Sequence, residues 1–411
     1  MRLLYNLIIA FIIILSPLIV FYRILKKKEH PKRFLEKFSF NKKKRKKGKL
    51  IWFHCSSVGE FLSIVPLIEK LEREKDIKTI LLSTSTLSSS KIFSKFKFKK
   101  TIHQFYPLDN QIIINNFLNY WKPTAVFFVE SEIWPQMLNC LKLKRIKIFL
   151  LNARISKRSF RRWKYFEKIG MNIFNYFDYI FPQNKETFDY LKNFKVKKLK
   201  ILGNLKFSET EKQNLFKNLP KNFHQRKIFC AASTHKNEEE IISDVHLNLK
   251  KKIKNLLTII IPRHIERSKK ILHILKSKNL KFILHSDKKK LKKDTDIYLV
   301  DKYGESKAFY SISNIVFLGG SLVPRGGQNP LEPIRYGCNI IHGIHTYNFT
   351  EIYNMLKKNK LSFKAKNFLQ LKKLIFTLLI KKKNNQKKVN NFKKIGRNIL
   401  NKNFKMIRVL I

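Results

Sequence analysis

The chain has 411 residues, with 87 Lys+Arg against 28 Asp+Glu and a formal net charge of +59; that length accommodates two or three domains, each with its own core. Its four cysteines, Cys55, Cys140, Cys230 and Cys338, lie too far apart for a short-spaced zinc site or a disulfide framework and fit a reducing compartment. Lys, Asn, Ile and Phe, the enriched residues, all have AT-rich codons, so the basic charge says little about chemistry, although it draws the surface toward anionic membranes or nucleic acid.

The first predicted element is "LLYNLIIAFIIILSPLIVFY", residues 3–22, followed at once by "RILKKK". Its length suits a bilayer core, with Asn6 and Ser16 as polar interruptions and Pro17 as a kink. No small-residue cleavage site follows, which favours an uncleaved membrane anchor over residues 1–25 with its basic flank in the cytoplasm. Residues 26–49, ending in "NKKKRKKGK", read as a basic linker lying against anionic headgroups. Such basic runs are common, and no RNP-type aromatic motif or helix-turn-helix signature accompanies this one, so no nucleic-acid partner is expected.

"KLIWFHC" then reads as a strand running into "SSVGEFLSIVPLIEKLE", where Leu62, Val65, Leu67, Ile68 and Leu71 form a helical stripe. "IKTILLSTST", "KPTAVFFVE", "IKIFLLNAR" and "FDYIFPQ" continue the β-rich series, with helical segments between them. After a polar stretch the alternation restarts with "KIFCAAST", "LLTIIIPRH", "KFILHS", "IYLVD", "NIVFLGGS" and "NIIHG". The expected plan is α/β, with two Rossmann-like domains over 50–207 and 227–390, a linker over 208–226 and a basic terminal helix over 391–411. Ligands of such sheets bind outside the carboxyl ends of the strands, where the chemically unusual residues cluster.

"GGSLVPRGGQNPLEP", residues 319–333, gathers four glycines in a chain that has only 12. A glycine turn opening onto a helix N-terminus presents free N–H groups to an anion, with Asn329 as a cap, Pro330 in the first turn and Glu332 within it. One glycine pair would suit an ordinary strand–turn–helix corner; two pairs followed by N-P-L-E point to a nucleotide. Arg263 in "IIIPRH" is placed to hold a phosphate or a surface carboxylate, and "VDKYGES" ends another strand at a glycine. In the first half, Glu60 of "SSVGE" sits in the first turn of a helix, either stabilising its dipole or acting as a general base. "VESEIWP" places Glu130 and Glu132 on one side of an extended strand end, and "GNLKF" offers Lys206 as a charge stabiliser. "DTD" at 294–296 resembles a metal-holding D-x-D but lacks neighbouring ligands, so no metal is expected.

Taken in order, "SSVGE", "FYPLDN", "ESEIWP", "NARISKRS", "GNLKF", "ASTHKNEE", "PRHIERS", "GGSLVPRGGQNPLEP" and "HTYNF" resemble the Kdo transferase family. These enzymes move 3-deoxy-D-manno-octulosonic acid (Kdo) from CMP-Kdo onto a lipid A precursor. The resemblance covers nearly all of the chain to about residue 360. It implies a GT-B fold, two Rossmann-like domains facing a central cleft, with an anchor in the bacterial inner membrane and catalytic domains on its cytoplasmic side. It implies Glu60 as general base and Glu130 and Lys206 as transition-state stabilisers, with Glu132 an alternative to Glu130. It further implies donor contacts from Pro262 and Arg263, from Tyr303, Gly304 and Glu305, and from Asn329, Pro330, Leu331 and Glu332. The implied partners are CMP-Kdo, a phosphorylated lipid A precursor and an anionic membrane surface, with no cofactor. Two departures stand out: "DKYGES" where the family usually has D-T-x-G-E-L, and Asn237 where it tends to have Gly. The rival enzymatic reading is another GT-B glycosyltransferase using a UDP-sugar; the non-enzymatic rival is a membrane-tethered nucleic-acid binder.

Overall fold

A computed structural model describes residues 2–40, 43–208, 221–287, 291–380 and 386–411, which divide into two units, residues 1–209 with 395–411 and residues 210–394. In the first, β1 (Lys49–Cys55), β2 (Ile77–Thr84), β3 (Thr101–Phe105), β4 (Ala125–Val129), β5 (Lys147–Ala153) and β6 (Tyr179–Pro182) form one sheet. Its order is β3-β2-β1-β4-β5-β6, and every pairing is parallel. Parallel strands buried on both faces need continuous apolar runs, which "LIWFHC" and "AVFFV" supply.

One face of this sheet packs Trp52, Val126, Phe128 and Leu150; the other packs Ile51, Phe53, Phe127 and Phe149. On the second face the Phe53, Phe127 and Phe149 rings stack across neighbouring strands, with centroids 5.0 and 4.9 Å apart. The helix Val58–Leu71 covers them with Phe61, Ile64, Leu67 and Ile68, and the end of the helix Gln386–Leu410 adds Ile399, Leu400 and Phe404. Truncating Phe127 to Ala would cost about 3–5 kcal/mol.

β3 was not among the expected strands, because "TIHQF" carries too few apolar residues to read as one. Its buried polar side chains are satisfied from elsewhere: His103 Nε2 lies 2.9 Å from Thr84 Oγ1, and Arg33 donates to the His103 carbonyl at 3.2 Å.

The second unit holds β7 (Lys227–Thr234), β8 (Leu256–Pro262), β9 (Phe282–Leu284), β10 (Ile297–Leu299), β11 (Ile315–Leu318), β12 (Asn339–His342) and β13 (Ser362–Lys364). Their order is β13-β12-β11-β7-β8-β10-β9, again all parallel. The chain is therefore α/β with two Rossmann-like units. The strand order reverses between β1 and β4 in one sheet and between β7 and β11 in the other, the positions where open α/β sheets leave a crevice at the carboxyl ends. The expected interdomain linker, 208–226, falls mostly outside the described residues.

The expected membrane-spanning anchor is not supplied. Among the described residues no helix is long and apolar enough to cross a membrane. Arg2–Leu25 is helical and contains Pro17.

Candidate active site

Glu60 enters its crevice through a reciprocal cap. Its N–H donates to Ser57 Oγ at 3.2 Å, while its Oε2 accepts the N–H groups of Ser56 at 2.7 Å and Ser57 at 3.3 Å. The carboxyl is half-buried at the end of β1. Burial, then the nearby Glu130 and Glu132 carboxylates, push its pKa up to about 7, against the two backbone donors that favour the charged form. A carboxylate poised near neutrality and still reachable from solvent suits a general base.

Glu130 follows β4, the strand beside β1, and is buried with a left-handed φ of 63°. That conformation is costly for a side-chain-bearing residue and persists where the surroundings enforce it. Here the Glu130 N–H donates to the Leu151 carbonyl at 2.9 Å, and its own carbonyl accepts the Arg154 N–H at 3.2 Å. The turn aims its carboxylate at Lys206, whose Nζ lies 2.6 Å from Oε1. Lys206 sits on the short turn Leu205–Phe207, which Asn204 caps and which Asn152 holds by accepting the Leu205 N–H at 3.0 Å.

Glu132 does not share that environment. Its Oε2 accepts the Trp134 indole N–H at 2.9 Å and lies 3.2 Å from His54 Nε2. Burial raises its pKa, but the contacts from His54, Trp134 and Ser56 outweigh that and hold the carboxyl below the usual range. His54 is itself fixed by Ser83 Oγ at 3.0 Å and by the Tyr106 ring, 3.8 Å between centroids. The structure thus separates the two acids that strand alternation placed together.

In the second unit, Arg263 follows Pro262 at the end of β8, exposed, with its N–H on the Thr234 carbonyl at 3.0 Å. His235 and His264 meet edge to face with ring centroids 5.9 Å apart. Burial, then the charges of His264, Arg325, Arg267 and Arg263, lower the His235 pKa. Arg267 is engaged by Glu239 through two contacts, at 2.6 and 3.0 Å. The carboxyl ends of β7, β8 and β11 therefore concentrate positive charge suited to an anion.

Asn329 accepts the Leu331 N–H at 3.1 Å and opens the short helix Leu331–Arg335, with Pro330 before it and Glu332 in its first turn. Gly320 has a φ of 64°, open to glycine at no cost. A Cβ on Gly319 would meet the Ser233 carbonyl oxygen at 2.3 Å. That glycine is thus required by close packing of the chain against its own β7 turn. Tyr303 is exposed and donates to Glu266 at 3.1 Å, Gly304 has a φ of 88°, and Glu305 precedes the helix Ser306–Ile312.

Sequence reasoning overlooked Glu238. This fully buried carboxylate accepts four backbone N–H groups: His235 at 3.0 Å, Gly320 at 2.7 Å, Ser321 at 3.1 Å and Leu322 at 3.0 Å. It ties the turn after β11 to the turn after β7. Its one sequence signal is the acid pair of "ASTHKNEE" at a helix start.

Asp296 of "DTD" is buried against His246 and Lys250, and Asp294 pairs with Lys281 at 2.7 Å. Among the described residues no group of three His, Cys, Asp or Glu could hold a metal ion.

The sequence profile described as 3-Deoxy-D-manno-octulosonic-acid transferase (kdotransferase) matches residues 32–209. The 3-deoxy-D-manno-octulosonic acid transferase of Rickettsia bellii is 32% identical over 393 residues, 95% of this chain and 93% of the relative. Its namesake from Haemophilus influenzae is 34% identical over 316 residues, covering 74% and 73% of the two chains. Among solved structures, UDP-GlcNAc 2-epimerase from Neisseria meningitidis aligns with a TM-score of 0.56 and 14% identity, over 86% of this chain and 100% of its own, a likeness of fold alone.

Proposed function

This chain belongs to the 3-deoxy-D-manno-octulosonic acid transferase family, and from that membership and the carboxylate cluster around Glu60 we propose that it transfers Kdo from CMP-Kdo to a hydroxyl of a lipid A precursor. The observation that carries the proposal is Glu60 at the reversal point of the first sheet, with its pKa raised to about 7. Its carboxylate takes the proton of the acceptor hydroxyl. The oxygen attacks the anomeric carbon of Kdo from the face opposite CMP, and the bond to the phosphate oxygen breaks with its electron pair. The anomeric configuration is thereby inverted.

Lys206, held by Glu130, stabilises charge that develops during the transfer. The leaving CMP phosphate is assigned to Arg263 and to the turn around Asn329–Glu332, and the cytosine side to Tyr303, Gly304 and Glu305. The reading gives this work to side chains and backbone amides and calls for no metal. The departures in "DKYGES" fall beside a contact assigned mainly to backbone, so CMP affinity is expected to be weakened and retained.

The site of action is proposed as the cytoplasmic face of a bacterial inner membrane. Phe11, Ile14, Leu18, Phe21 and Leu25 on the first helix are exposed, and they support insertion of that helix into lipid. Full-length protein given CMP-Kdo or UDP-sugars in parallel, with the released nucleotide identified, tests the donor. CMP release confined to CMP-Kdo supports the proposal; UDP release would replace it with a UDP-sugar transferase.

A further inference from the structure

The segment 154–168, "RISKRSFRRWKYFEK", carries seven Lys or Arg against one acid, Glu167. Its helix Lys157–Tyr165 is amphipathic in an unusual way. Phe160 stacks on Tyr190 at 4.1 Å and meets Phe194 at 5.8 Å, while Trp163 packs on Phe174 at 5.4 Å. These rings fix the inner face. The outer face presents Lys157, Arg158, Arg161, Arg162 and Lys164, all exposed. Among the described residues Lys157, Arg158, Arg162 and Lys164 have no ion-pair partner. Beside them stand two aromatic rings left in solvent: Tyr165 is 85% exposed and Phe166 50%, packed edge to face at 4.9 Å.

A solvated basic face needs no aromatic rings. Exposed aromatics among unpaired cations suit the headgroup level of an anionic bilayer, where rings enter the acyl boundary and cations stay at the phosphates. Placement within the first unit agrees. The segment leaves the carboxyl end of β5, and its first residue, Arg154, donates its N–H to the carbonyl of Glu130. At the other end of the same sheet, residues following the first helix meet the carboxyl end of β3: Glu36 accepts the Phe105 N–H at 2.9 Å and the Lys37 carbonyl accepts the Leu108 N–H at 2.9 Å. Glu60, after β1, lies between these two places in the strand order. The exposed apolar residues of the first helix favour lipid over nucleic acid as the common partner.

We propose that residues 157–168, with Tyr165 and Phe166 as the inserted pair, form a second contact with anionic lipid and lay the carboxyl edge of the first sheet on the bilayer. This deepens the lipid-acceptor reading and rests on it for its purpose, while its test needs no turnover. Full-length protein is compared by hydrogen exchange on vesicles of phosphatidylcholine alone and of phosphatidylcholine with phosphatidylglycerol. Amides of 157–168 should exchange roughly tenfold more slowly on the anionic vesicles, as expected for a few cations and two rings engaged together. The basic helix Ser268–Ser277, which has no exposed aromatic, should not change. Tyr165→Ser with Phe166→Ser should abolish the slowing and leave exchange without vesicles unaltered. Equal exchange on both vesicles would overturn the proposal, as would equal slowing of 268–277. So would the same slowing by a single-stranded oligonucleotide, which would indicate a polyanion site. A protein that binds here and fails to transfer Kdo would refute the enzymatic reading alone.

Discussion

Lys206 Nζ lies 2.6 Å from Glu130 Oε1, joining a short turn beyond β6 to the residue that follows β4. Glu130 is buried and Lys206 partly so. Removing the cation leaves a buried carboxylate alone, which costs about 3 kcal/mol or more, whereas removing both charges costs less. Lys206→Met should therefore destabilise the protein more than the double variant Lys206→Met with Glu130→Gln, as read by denaturant unfolding. Both should lose transfer by at least about a hundredfold if the cation stabilises the transition state.

Glu132 acts on Glu60 through its charge. Its carboxylate contributes, after burial and Glu130, to the raised pKa of Glu60. Glu132→Gln should move the acid limb of the kcat/KM profile to lower pH, because one negative charge near the base is gone. Above that limb the rate should fall only modestly. A limb that stays in place would show that Glu60 does not feel Glu132.

Glu60 carries a stability cost that follows from the same shift. Its folded pKa of about 7 exceeds the ordinary carboxyl value of 4.5, so folding favours the protonated form. Stability from this group is present below about pH 4.5 and is lost as pH rises through about 7. Glu60→Gln should thus stabilise the protein at pH 8 by about 1 kcal/mol after allowance for solvent screening, and have no such effect at pH 4. Thermal or denaturant unfolding at the two pH values measures this directly.

Glu238 should act on the donor alone. Glu238→Gln replaces one acceptor oxygen with a donor and leaves N–H groups of the 320–322 turn unsatisfied, at about 1–3 kcal/mol each. The expected outcome is a KM for CMP-Kdo raised about tenfold or more, with the KM for the lipid acceptor unchanged. A general loss in both would mark Glu238 as a folding residue only.

The parallel plan was legible because strands buried on two faces must be apolar throughout, as in "LIWFHC" and "AVFFV". β3 was not, since His103 and Gln104 are buried against partners distant in the chain, Arg33 and Thr84 among them. The candidate base was visible as an acid in the first turn of a helix that follows a strand; its reciprocal cap with Ser57 was not. The division between Glu130 and Glu132 was not. Alternation predicts one side for both, but the left-handed turn at Glu130 sends one to Lys206 and the other to His54. Glu238 was not legible either, because three of its four partners are 82 to 84 residues away.

The most direct test follows a lipid A precursor by mass while wild type and Glu60→Gln are given CMP-Kdo across pH 5 to 9. Wild type should add Kdo-sized increments with coupled CMP release, at a rate rising about tenfold per pH unit toward a plateau above about pH 7. Glu60→Gln should lose that activity and its pH dependence together. A Glu60→Gln variant that transfers Kdo at the wild-type rate, with the same profile, would contradict the assignment of Glu60 as the base.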